Sequence, residues 1–146
     1  MYKYIISGIV IVLMASLSGL GIYSQYMASP EIKGGEFTNI TDAQKLAEQK
    51  DIDILVVFSA NWCSPCVAFK KSFHDGINKN KITADYCVVI LSIETDRPLF
   101  DKIQRDNNVI LPNLIPHFIV LDKNLKFKTS TTGLSSVNAL LNFLRN

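Results

Sequence analysis

The chain has 146 residues and a formal charge of +2, with no basic cluster interleaved with aromatic residues, so nothing in it points to nucleic acid as a partner. Its length and 48% hydrophobic content suit one globular domain with an appendage, and neither an internal repeat nor a low-complexity tract is present.

The appendage comes first. No residue between Tyr4 and Pro30 is charged, and Ile5–Ile22 is a mostly apolar run. A membrane-spanning helix needs roughly 17–25 such residues. Lys3 and the α-amino group precede the run and Glu31 is the first charge after it, so the positive-inside bias keeps the N-terminus cytoplasmic and sends the remainder across. Ser16, Ser18, Gly19 and Gly21 offer small residues for a signal cleavage site, but no Ala-x-Ala stands there and no cysteine follows closely, as a lipoprotein signal would require. The expectation is a retained signal-anchor over residues 1–23 with an inner-membrane, single-pass topology; a periplasmic protein released by signal cleavage is the alternative. Residues 24–40, with Ser29-Pro30 and Gly34-Gly35, read as a linker, and residues 41–146 as the folded domain.

Within that domain Thr41-Asp42-Ala43-Gln44 has the form of a capping box, and Ala43, Leu46 and Ala47 follow at helical spacing to an end near Lys50. Ile52–Ser59 is continuously apolar after Asp53, as a central strand covered on both faces should be. A helix follows the Cys63-Ser64-Pro65-Cys66 turn and runs to His74-Asp75, where Gly76 offers a stop. Its Phe69 and Phe73 share a face with Cys66 and read as core. Tyr86–Ile93 is the next buried strand. Thr95 or Asp96 caps a helix with Pro98 in its first turn, running to Asp106. Phe118–Leu121 is a strand, Asp122-Lys123-Asn124 turns the chain, and Lys126–Ser130 returns as an edge strand that Gly133 breaks. Ser135 or Ser136 caps a last helix with Val137, Leu140, Leu141 and Leu144 inward. The layer rule places a central sheet between helices.

The chemistry is concentrated in Cys63 and Cys66, at the point where a strand becomes a helix. The first N–H groups of a helix lack internal partners and carry about half a positive charge, which stabilises a thiolate there. The thiol pKa can then fall from roughly 8.5 into the range ~3.5–7.5. Two intervening residues let the second sulfur reach the first, and Pro65 suits a first turn because no needed N–H is lost. Half of a zinc site has the same spacing, but Cys87, His74 and His117 lack ligand-like spacing to complete one. A purely structural disulfide is the other alternative.

Ala60-Asn61-Trp62-Cys63-Ser64-Pro65-Cys66 resembles the Ala-x-Trp-Cys-x-x-Cys site of the thioredoxin superfamily, and Ile115-Pro116 resembles the Ile–cis-Pro that faces its redox cysteines. Phe69 and Phe73 after the motif make the chain similar, within that superfamily, to the periplasmic C-terminal thioredoxin-like domain of the disulfide-interchange protein DsbD. The resemblance implies an α/β thioredoxin fold, a central mixed β-sheet sandwiched by helices, preceded here by the N-terminal membrane segment. It implies a thiol:disulfide oxidoreductase with no cofactor beyond a redox-active Cys63–Cys66 disulfide. Its partners would be protein thiols and disulfides in the periplasm, with a membrane electron donor. Cys63 is expected as nucleophile and Cys66 as resolving thiol, with Trp62, Ser64, Pro65, Ile115 and Pro116 around the substrate. Reduction of partner disulfides is the favoured direction; a thiol oxidase, an isomerase or a non-catalytic binding module are the alternatives. Two positions depart from the pattern: Val57 stands where thioredoxins and the DsbD domain bury an aspartate, and Lys70 where the DsbD domain has a glutamate. Cys87 reads as an inert core thiol. His117 follows Pro116, where the family more often has threonine, and either borders the substrate groove or packs inside.

Overall fold

The structure, a computed structural model, describes residues 33–146. The anchor expected over residues 1–23 and the first part of the linker lie outside them. Among the described residues no helix is long and apolar enough to cross a membrane.

The elements in chain order are β1 (Gly35–Phe37), α1 (Ile40–Lys50), β2 (Asp53–Ser59), α2 (Ser64–Phe73), α3 (Gly76–Thr83), β3 (Tyr86–Ser92), α4 (Arg97–Asn107), β4 (His117–Leu121), β5 (Phe127–Thr132) and α5 (Val137–Leu144). The strands form one sheet in the order β1-β3-β2-β4-β5. β1, β3 and β2 run parallel; β4 is antiparallel to β2 and β5 to β4.

The period of two along β2 builds both faces of the core at once. Ile54, Val56 and Phe58 join Cys87, Val89, Ile119 and Leu121 on one side, where α1 contributes Ala43 and Ala47 and α4 contributes Phe100 and Ile103. Leu55 and Val57 join Val88, Phe118 and Val120 on the other, against Phe69 and Phe73 of α2, Ile82 of α3, and Val137 and Leu140 of α5. Every residue from Ile54 to Phe58 is fully buried. Such burial contributes ~1.5–3 kcal/mol for each large apolar side chain, so β2 is a stiff support for the cysteine turn at its C-terminal end.

Four expectations are corrected. The linker proposed for residues 24–40 supplies strand β1, whose Gly35, Glu36 and Phe37 pair with Cys87, Val88 and Val89. Helix α1 begins at Ile40, capped by Asn39 rather than from Thr41: Asn39 Oδ1 accepts from Asp42 N at 2.9 Å. Asparagine is among the best N-cap residues, and starting there lets Ile40 pack on the core. Helix α2 ends at Phe73 with His74 as its C-cap, as expected, but Gly76 then opens a helix that was not expected, α3, capped by Asp75 through Ile77 N. The edge strand β5 runs Phe127–Thr132, two residues beyond its expected end, and Gly133 with φ +77° turns the chain after it.

Candidate active site

Cys63 lies one step beyond the C-terminal end of β2 and the following turn, as the N-cap of α2. Its carbonyl accepts the first helical bond from Val67 N at 3.0 Å, and its Sγ accepts from Cys66 N at 3.3 Å. Ser64 and Pro65 occupy the first turn and stay exposed. Cys63 and Cys66 form a disulfide with Cα atoms 5.2 Å apart. Cys63 keeps 7% of its surface while Cys66 has none, so an incoming group meets the first sulfur.

The wall opposite is the loop between α4 and β4. The Ile115–Pro116 peptide bond is cis. The Ile115 carbonyl stands 3.8 Å from Cys63 Sγ, and the Ile115 side chain packs with Ala60, Cys63, Cys66 and Ile93. A disulfide sulfur has no hydrogen to donate, so this is a contact in the oxidised form and an S–H acceptor in the dithiol. Pro116 is buried, its carbonyl accepting from Gly133 N at 2.9 Å. Trp62 is 70% exposed beside the sulfurs, its Nε1–H donating to Glu94 Oε1 at 2.8 Å. The seven residues singled out from the sequence are thus brought to one end of the sheet, from separate segments of the chain.

The charges around them are few. Lys70 Nζ donates to Asn61 Oδ1 at 3.3 Å, holding its ammonium against the turn that leads into Trp62 and Cys63. Val57 is buried in an apolar cluster with Phe69, Phe118 and Val88. The position where the resemblance expects a carboxylate is therefore a fully buried valine.

The two histidines divide. His74 lies away from the sulfurs, between Lys70 O at 2.8 Å and Glu36 Oε1 at 3.2 Å. Glu36 also accepts from Lys79 Nζ at 2.5 Å, and although its burial opposes ionisation, Lys79 and His74 hold its carboxyl below the usual range. His117 is packed inside, 1% exposed, with Nδ1 3.0 Å from Pro112 O; it does not line the groove. Burial pushes its imidazole below the ordinary value, only partly offset by the Pro112 carbonyl. Cys87 is a buried free thiol in strand β3, pushed up by its burial. The Glu94 contact to Trp62 has no local signal, because it joins segments distant in sequence. Among the described residues no group of three or more His, Cys, Asp or Glu side chains is placed to hold a metal ion.

A family model described as thioredoxin-like matches residues 37–123. A comparison with curated proteins yields no match. Among solved structures, a disulphide isomerase from Xylella fastidiosa Temecula1 superposes with a TM-score of 0.60 at 22% identity, over 73% of this chain and 86% of that one. A thioredoxin from Thermus thermophilus gives 0.56 at 19% identity, over 77% and 85%. A DsbH oxidoreductase gives 0.56 at 12%, over 82% and 88%. At such identities the likeness concerns the fold.

Proposed function

The chain belongs to the thioredoxin-like family, and from that premise we propose that it is a thiol:disulfide oxidoreductase that reduces disulfides of protein partners through Cys63 and Cys66. The observation that carries this reading is the placement of the Cys63–Cys66 disulfide at the N-cap of α2, against the Ile115 carbonyl.

In the dithiol form the Cys63 thiolate attacks one sulfur of a partner disulfide. A Cys63–partner bond forms, the partner's S–S bond breaks, and its other sulfur leaves as thiolate. Cys66 then loses its proton and attacks Cys63 Sγ, which releases the second partner thiolate and closes the Cys63–Cys66 disulfide. The dithiol supplies two electrons and two protons; a membrane dithiol donor restores it by the same exchange in reverse. Trp62 and Ile115 flank the sulfur that is attacked, and an extended partner segment would pair with the backbone at Ile115.

The finer parts of the proposal are a DsbD-like reducing direction and a periplasm-facing domain held to the inner membrane by residues 1–23. They are supported by the Ala60–Cys66 motif with Phe69 and Phe73, and by the charge-free N-terminal run. A Cys66→Ser variant should accumulate mixed disulfides with proteins through Cys63; a variant that traps nothing would leave only a binding module. The measured potential decides direction, since thioredoxin lies at about −270 mV and strong oxidants at about −120 mV. Retention of the whole chain in membranes after an alkaline wash is expected, and a soluble form beginning near residues 19–25 would establish cleavage instead.

A further inference from the structure

The loop that presents Ile115 is held from two directions. Leu111 N donates to Gln104 Oε1 at 2.8 Å and Asn113 Oδ1 accepts from Arg97 Nη1 at 2.6 Å, with Gln104 and Arg97 both belonging to α4. The third hold is His117, whose Nδ1 lies 3.0 Å from the Pro112 carbonyl and spans the loop from the first residue of β4. A carbonyl only accepts, so Nδ1 carries the hydrogen and a neutral ring leaves Nε2 bare.

That second nitrogen is buried and has no partner among the described residues. Its ring meets the Phe100 ring edge-on at 5.4 Å, and in the sheet His117 is paired with Phe58 and Thr132. None of these titrates. Arg97 lies over the Phe100 ring at 5.3 Å and is itself engaged by Asp101 and Asn113. An orphaned buried nitrogen is a cost that a phenylalanine at this place would not carry. What offsets it is the bond made by the other nitrogen.

We propose that His117 is a positioning residue: its Nδ1–H closes the arc from Pro112 to His117 and so holds the Ile115 carbonyl against Cys63 Sγ. The role rests on the thiol–disulfide exchange proposed for Cys63 and Cys66. It has two consequences. A thiol that donates to a carbonyl is held protonated, so the clip restrains ionisation of Cys63. The same clip keeps the Ile115 backbone aligned for an extended partner segment.

The test uses the full-length reduced chain and two variants. His117→Phe keeps a ring of similar size and removes the donor; His117→Asn keeps an amide N–H near the place of Nδ1. Alkylation of Cys63 is followed against pH, and exchange with a cystine-containing peptide is measured at pH 9, where docking rather than ionisation is read. In His117→Phe the alkylation midpoint should move to lower pH and peptide exchange should slow about three- to tenfold, the range set by one neutral hydrogen bond. His117→Asn should restore both. Phe and Asn variants that behave alike overturn the role. So does a His117→Phe protein that matches wild type while wild type exchanges normally. A wild-type chain that alkylates at Cys63 yet never exchanges with the peptide overturns the thiol-exchange reading instead. Should His117→Phe fail to fold, nitrogen NMR of the wild type at pH 8 decides: a bare Nε2 with protonated Nδ1 is expected there, and the opposite tautomer overturns the proposal.

Discussion

Cys63 and Cys66 are three residues apart and chemically unlike. The first takes the partial charge of the α2 N-terminus and keeps an edge in solvent; the second is sealed beneath it. In the reduced protein Cys63 should therefore be alkylated first and alone near neutral pH, with Cys66 and the buried Cys87 unlabelled, as mass spectrometry of the labelled peptides will show. Equal labelling of Cys63 and Cys87 would count against that assignment. Val57 bears on the second half of the reaction. A buried thiol near or above pKa 8.5 is only a few per cent thiolate or less at pH 7, and Val57 cannot take its proton as the aspartate of the resemblance would. Val57→Asp should speed release of the mixed disulfide between pH 6 and 8, seen in stopped-flow turnover of a small disulfide. It should also lower stability by about 3 kcal/mol, because the acid enters a wholly apolar cluster. If the folded variant resolves no faster, another group already accepts the proton, and Glu94, which bonds Trp62, is the next to change.

Among the elements, β1 is the shortest and the most exacting. Gly34 N donates to Thr83 O at 2.8 Å, which brings the backbone so close to β3 that a Cβ on Gly34 would sit 2.0 Å from the Tyr86 carbonyl oxygen. Backbone cannot swing aside as a side chain can. Gly34→Ala should accordingly unseat β1 and cost about 2–4 kcal/mol. Hydrogen exchange should show lost protection at Gly35–Phe37 and at the facing residues of β3, and unchanged protection there would refute the close-approach account. Losing β1 also removes Glu36 from His74 and Lys79, the tie between this edge strand and the helices α2 and α3. By contrast α2 is secured at both ends, by Cys63 at its start and by His74 closing onto Lys70 O at its finish.

For the molecule as a whole, buried titrating groups set how stability follows pH. His117 has its pKa lowered from 6.5 in the folded state, so below that value the unfolded chain binds a proton that the folded chain refuses. Its contribution is complete above 6.5 and is lost as pH falls through the folded value. Glu36, lowered from 4.5 despite its burial, acts with the same sign at more acid pH. Cys87, raised from 9.0 by burial, works on the other flank: stability declines as pH rises past 9.0, where only the unfolded thiol ionises. Denaturant melts should give a plateau between about pH 7 and 8.5 with losses on both sides. His117→Phe should flatten the part of the acid limb just below 6.5, and an unaltered limb would show that His117 takes up its proton alike in the folded and unfolded states.

Those parts of the fold whose cause is local can be read along the chain. The apolar run of β2, the helix that starts at a cysteine, the turn at Asp122-Lys123-Asn124 and the amphipathic last helix all follow from side-chain period and from neighbours within one turn. Cys63 and Cys66 were legible at the start of α2, whereas Ile115 and Pro116 were named only through the resemblance to thioredoxins; the 3.8 Å approach of the Ile115 carbonyl to Cys63 Sγ is a property of the tertiary fold. Tertiary structure alone decided β1, since three residues beginning at a glycine pair show no period and their hydrogen bonds go to β3, half a domain away in sequence. It decided α3 as well: the segment Gly-Ile-Asn-Lys-Asn-Lys-Ile-Thr has no apolar stripe and buries only Ile82 and Thr83. The interior place of His117 was likewise invisible along the chain. A histidine after a proline looks the same in either setting until Phe58 and Phe100 are folded around it, and partners separated by that much chain are chosen by packing, not by local propensity.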